Sequence, residues 1–324
     1  MSKLRIAAAL LPLALTAAAP AGLSVESLEA LRAIDLRLGT IGYRLATANA
    51  ALCERQAPAT GALLHAITQY DRASEAAARR AFGFAAPVAV EAVVGDSPAA
   101  RAGLEANDGV AAVNGEETRE DATPPSVADR DAALAAIARG GMRVKLDTIR
   151  AGARRAVDIA GLPGCDTTFE VVLGPEMTAQ SDGKVVQIGV RFLERYRDDE
   201  VAVVVAHELA HVILKHRARL EAAGVKGGLF GEFGRNARLT QRAEEEADRL
   251  GVHLLYNAGY DPASAARFWQ AHGRDVDGGF FRSRTHPATK VRVAAIEAEA
   301  ATLAGKPARP SIPALVAERD RAMQ

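Results

Sequence analysis

From Val201 to Leu214 the chain is almost entirely apolar, and the exceptions are His207, Glu208 and His211. A stretch this long and apolar has to pass through a core. If it is helical, His207 and His211, four residues apart, stack on one face. Two imidazoles so placed can hold one zinc ion. Glu208, next to the first, can reach a water on that ion and act as a general base. Asp198, Asp199 and Glu200 supply negative charge where such a helix would start, and the pattern predicts one long helix over residues 198–220.

A hydrolytic zinc needs three protein ligands and one open position. A third His at metzincin spacing is missing, because His211 is followed by Val212-Ile213-Leu214-Lys215-His216. His216, five residues on, would turn off the metal face of a continuous helix. The other source is a Glu on a later helix, and Gln241-Arg242-Ala243-Glu244-Glu245-Glu246-Ala247-Asp248 supplies one. Glu244 and Asp248 share a face, with Glu244 placed to bind zinc and Asp248 to orient a ligand His, while Glu245 and Glu246 point elsewhere. By itself this acidic run reads as a solvated helix face. With the two His it reads as the missing ligand.

H-E-L-A-H, then E-x-x-A-D, then Thr285-His286-Pro287 resembles the gluzincin peptidases of the HtpX, Oma and CAAX-prenyl-protease type over about residues 165–300. The resemblance implies one zinc ion per chain on His207, His211 and Glu244, with Glu208 as base and Asp248 as the acid of the family motif. It implies a place near the active site for His286, either stabilising an oxyanion or occupying the open zinc position and holding the enzyme latent. As a bare residue, His286 reads as a helix start ahead of Pro287. Relatives often carry Asn-Ala in the strand lining the substrate cleft; here Thr178-Ala179 stands there, followed by Asp182-Gly183. Residues 224–234 are Gly-rich with Phe230 and Phe233, a composition suited to a flap over the cleft or to a plain flexible loop.

The preceding residues carry other signals. Residues 23–57 are predicted helical from the spacing of Leu28, Leu31, Ile34, Leu38 and Ile41, and a second helix is predicted from Gly61 to Ala81. Val88–Val94 reads as a strand; Ser97-Pro98 caps a short helix closed by Gly103; Val110–Val113 is a strand ending in Asn114-Gly115; residues 126–139 form a helix; and Met142–Ile149 with Arg154–Ile159 alternate like a hairpin. This order, and above all Gly95-Asp96-Ser97-Pro98-Ala99-Ala100-Arg101-Ala102-Gly103-Leu104, resembles a PDZ domain. The resemblance implies peptide binding by strand addition, with Phe82-Gly83-Phe84 as a weak match to the loop that takes a terminal carboxylate. A PDZ-like fold kept only for packing is the other reading. Phe169–Leu173 and Lys184–Val190 are predicted strands with a hairpin turn at Asp182-Gly183.

The expected architecture is α+β. A helical segment (22–81) precedes a PDZ-like β-sandwich or barrel (82–161), then a mainly helical zincin domain with a small sheet (162–324). Lys3 and Arg5 before the apolar run Ile6–Leu15, and the small residues through Ala21, read as a secretory signal peptide over residues 1–21, with a membrane anchor at 6–19 as the alternative. Export to the periplasm or beyond would favour a Cys53–Cys165 disulfide over two buried thiols. Forty Lys and Arg balance forty Asp and Glu, so no nucleic-acid partner is expected. The expected partners are protein or peptide substrates and a peptide on the PDZ-like groove; peripheral membrane association and oligomeric state are left open. The expected function is hydrolysis of exported or envelope proteins in quality control. The rival is a PDZ adaptor or chaperone whose zinc-bound peptidase fold is idle.

Overall fold

The computed structural model describes residues 22–225, 234–276, 289–305 and 310–323. The side chain of Ser24 accepts from the Ser27 N–H and opens helix α1 (Val25–Ala48), whose apolar stripe is buried at Leu28, Leu38, Ile41 and Leu45. Next come strands β1 (Gln56–Ala59) and β2 (Ala62–Ala66), helix α2 (Glu75–Phe82), β3 (Val88–Val93), α3 (Pro98–Arg101), β4 (Gly109–Val113), β5 (Glu116–Glu117) and α4 (Ala128–Arg139). The hairpin β6 (Arg143–Arg150) and β7 (Ala153–Ala160) follows, then β8 (Leu162–Cys165), β9 (Thr168–Val172), β10 (Ala179–Ser181) and β11 (Val185–Gly189). The remainder is helical: α5 (Val190–Arg195), α6 (Asp198–Ile213), α7 (His216–Ala222), α8 (Gly234–Asn257), α9 (Ser264–Val276) and α10 (Thr289–Ala301).

Two cores result. An antiparallel sheet in the order β2-β3-β4-β6-β7, with β5 on β4, packs Val88, Val90, Val110, Leu146 and Ile159 against Ala133 and Ile137 of α4. A second sheet, β10-β11-β9, is antiparallel at β10–β11 and parallel at β11–β9. It shares one core with α1, α5, α6, α8, α9 and α10. The β1–β8 ribbon joins the two halves, and a Cys53–Cys165 disulfide with Cα atoms 5.4 Å apart closes its end. No helix among the described residues is long and apolar enough to cross a membrane.

Several local expectations change. Residues 61–81 are not one helix: Ala62–Ala66 is a strand paired antiparallel with β3, and only residues 75–82 are α-helical. A five-residue run with four apolar side chains suits either state, and here the partner strand decides. The six-stranded sheet therefore includes a strand from the segment read as helical. Asp182-Gly183 turns between β10 and β11, not between β9 and β11, because β10 is too short to show a pattern. The long helix 198–220 is two helices, broken at Lys215, which takes a left-handed φ of 54° and pairs with Glu54 and Asp320. Phe82-Gly83-Phe84 is not a carboxylate loop. Phe82 and Phe84 are buried around His65, and the Gly83 and Phe84 N–H groups already donate to Arg79 and Phe82 carbonyls. The expected signal sequence (1–21), His286 and most of the 224–234 loop lie outside the described residues.

Where α1 meets β3, the half-buried carboxyls of Asp35 and Glu91 lie close enough to act on each other. Burial raises both, and the Asp35 charge helps push Glu91 from 4.5 to about 8. The folded chain then binds more protons than the unfolded one across this window. Stability from the pair is greatest below pH 3.8 and is lost as pH rises through about 6 towards 8. Glu91→Gln is expected to stabilise the protein at pH 8 by about 1–3 kcal/mol and to matter little near pH 4.5. Thermal unfolding at both pH values tests this; a variant less stable than its parent at pH 8 contradicts it.

Candidate metal centre

Helices α6 and α8 build the site between them. Glu200 accepts from the Arg197 N–H and starts α6, whose residues Val201–Ala206 are all buried. This anchors the next turn, and His207 and Glu208 are buried in their turn at 7% and 8% exposure. Leu239, Ala243, Ala247 and Leu250 of α8 are also buried, which aims Glu244 and Asp248 inward at α6.

The structure brings His207, His211 and Glu244 together, with ligand atoms within 4.8 Å of one another. The two His Nε2 atoms are 3.1 Å apart; Glu244 Oε2 is 3.3 Å from the first and Glu244 Oε1 is 3.5 Å from the second. A tetrahedral zinc with bonds of about 2.0–2.1 Å requires ligand atoms about 3.3–3.4 Å apart. Each His Nε2 has a Glu244 oxygen at about that distance, but not the same oxygen, so a small shift of the Glu244 carboxylate would bring one oxygen onto a zinc shared by both rings.

The far side of each ring is held as well. His207 Nδ1 lies 2.9 Å from Asp248 Oδ1, so Nε2 is the atom turned to the ligand cluster. Arg292 of α10 grips the same carboxylate through Nη2 at 2.7 Å and Nε at 2.6 Å, and its guanidinium lies 3.3 Å from the ring centroid of Trp269. Burial would raise the Asp248 carboxyl, but Arg292 and His207 hold it below its ordinary value. Burial would lower His207, yet Asp248 and Glu244 raise it to about 10, whereas burial keeps His211 well below its usual value.

His211 is supported by a residue that the helical spacing had turned away. His216 Nδ1 lies 2.9 Å from His211 Nδ1, and His216 Nε2 lies 3.2 Å from Glu246, which also takes hydrogen bonds from Arg219 and Arg242. The break at Lys215 rotates His216 back beneath its neighbour. Neither Gly nor Pro marks that break, so sequence offered no signal for it. Arg292 had one: it sits four residues before buried Ile296, a cation on an otherwise apolar stripe. Glu208 follows His207 on the same helix, and strand β10, an edge of its sheet, packs alongside α6.

Two helices thus turn two His and a Glu to one point, with a carboxylate behind the first His, a donor set suited to one metal ion. Residues 233–300 match the model of peptidase family M48, and residues 169–266 match a family model described as a metallopeptidase domain. The chain is 30% identical over 122 residues to the mitochondrial metalloendopeptidase OMA1 of Schizosaccharomyces pombe. It is 30% identical over 116 residues to the beta-barrel assembly-enhancing protease of Yersinia pestis and over 138 residues to that of Escherichia coli. These stretches are 31%, 27% and 32% of this chain and span 36%, 24% and 28% of the three relatives. The carboxy-terminal half is thus similar to the metallopeptidases of family M48.

Proposed function

We propose that this protein is a zinc-dependent metalloendopeptidase that cleaves exported or envelope proteins. The observation that carries the reading is the convergence of His207, His211 and Glu244, whose ligand atoms lie within 4.8 Å of one another, with each His held from behind. Bound there by His207, His211 and Glu244, zinc would polarise a scissile carbonyl and acidify a water.

The chain's own groups supply the rest. Asp248 and His216 orient the two rings, so the ligand atoms need not reorganise during reaction. Glu208 takes the proton of the attacking water on its carboxylate and passes it to the leaving amide nitrogen. The open edge of β10, beside α6, suits an extended substrate segment added as a further strand. His286 completes the proposed site as oxyanion donor or as a latency device. The six-stranded unit is read as PDZ-like and peptide-binding, and would raise substrate concentration at the cleft. Export rests on the pattern from Lys3 to Ala21, and the names of the assembly-enhancing relatives suit an envelope substrate.

Metal analysis tests the ligand set. Purified protein is expected to hold about one zinc per chain, and Glu244→Ala to lose most of it together with casein hydrolysis. Wild-type protein that takes up no zinc, or a Glu244→Ala variant that keeps it, would sink the proposal.

A further inference from the structure

A cavity of about 480 Å³ lies where α1, the six-stranded unit and the β9 sheet meet. One face of α1 lines it from Leu28 through Asp35, Gly39 and Tyr43 to Ala46. At 1.5 Å per residue that face runs about 27 Å, the length of about eight residues of extended chain. The opposite walls are β2 with α4, and β9. Among the described residues both strands are edges: β2 pairs only with β3 and β9 only with β11. Unpaired strand edges facing one elongated space suit a main chain rather than a compact small molecule.

The charge of the lining narrows the occupant. Asp35, Glu91, Asp166 and Glu170 line the cavity against one guanidinium, that of Arg130. Arg130 is already paired with Glu170 and Asp131, and Asp166 with Arg55 and Lys184. Asp35 and Glu91 both line the cavity, and the charges of Arg32 and Arg130 offset theirs only in part. Two half-buried acids lining one cavity are a good receptor for a further cation.

We propose that this cavity binds an extended peptide segment through a Lys or Arg side chain that seats on the Asp35–Glu91 pair. The proposal rests on reading the six-stranded unit as peptide-binding and deepens it: the recognised feature is a basic side chain within the segment, not a terminal carboxylate. It does not depend on hydrolysis.

The test uses the full chain carrying Glu208→Gln, so that the probe is not cut. The probe is a fluorescein-labelled, carboxy-amidated octapeptide of alternating Val and Lys, followed by fluorescence anisotropy. Counterparts carry Ala or Glu at the Lys positions, and one Ala peptide keeps its free carboxy terminus. The Lys peptide is expected to bind at least about tenfold tighter than the others, and Glu91→Gln or Asp35→Asn to weaken it about tenfold or more. Because Glu91→Gln is expected to be the more stable protein at pH 8, lost binding there is not lost folding. Preference for the free-carboxylate peptide overturns the charge assignment and leaves peptide binding by the unit standing. Equal binding with and without Glu91→Gln places the peptide elsewhere and overturns the site. No binding of any peptide overturns both readings, while zinc content and casein hydrolysis by the wild-type chain judge the peptidase separately.

Discussion

Glu208→Gln is expected to lower the casein-hydrolysis rate by about 10²–10⁴-fold, the contribution typical of a positioned general base. Gln keeps the shape of a side chain that is only 8% exposed, so the fold and zinc content should be unchanged. The amide cannot accept the proton of the attacking water. The loss should fall on kcat with KM nearly constant, since substrate binding is untouched. Zinc analysis, thermal unfolding and steady-state kinetics on the same preparation make the comparison. Activity within a few-fold of wild type, with zinc at full occupancy, would remove Glu208 from the mechanism.

Arg292→Ala should produce the largest stability effect. Arg292 and Asp248 are 2% and 6% exposed, and the guanidinium holds both carboxylate oxygens. Its removal leaves a buried carboxylate whose charge only His207 offsets, which costs about 3–5 kcal/mol in comparable pairs. It also takes the cation off the Trp269 face. Because Asp248 fixes the His207 ring, zinc affinity should fall about 10–100-fold as well. Arg292→Lys restores the charge without the two-pronged contact and should recover only part of either loss. Combining Arg292→Met with Asp248→Asn removes both charges and should be more stable than Arg292→Ala alone, while zinc remains weakened. Unfolding curves and competitive zinc titration separate these outcomes. An Arg292→Ala protein with wild-type melting and zinc affinity would show the buried pair to be inconsequential.

His207, Glu208 and His211 were legible because one helix carries them all, and helical spacing is a local property. Glu244 followed by elimination, since zinc needs a third ligand and only one later helix repeats an acid at that spacing. The cap at Ser97-Pro98, the strands from Val88 and Val110 and the β6–β7 hairpin were legible for the same reason: short-range sterics and turn chemistry set them.

What the chain order did not disclose depends on partners far away in sequence. Ala62–Ala66 is a strand because β3 pairs with it, and β10 exists only as the partner of β11. Lys215 leaves the helix where Glu54 and Asp320 receive its ammonium, and that bend alone brings His216 under His211. Arg292 reaches Asp248 across 44 residues, and Asp35 meets Glu91 because α1 crosses β3. The sequence by itself determined the helix that carries His207, Glu208 and His211 on adjoining positions, since residues within one turn fix each other's direction. Only the tertiary structure decided what stands behind each ligand and which carboxyls are forced together, because burial and distant charge act through space and leave no period in the chain.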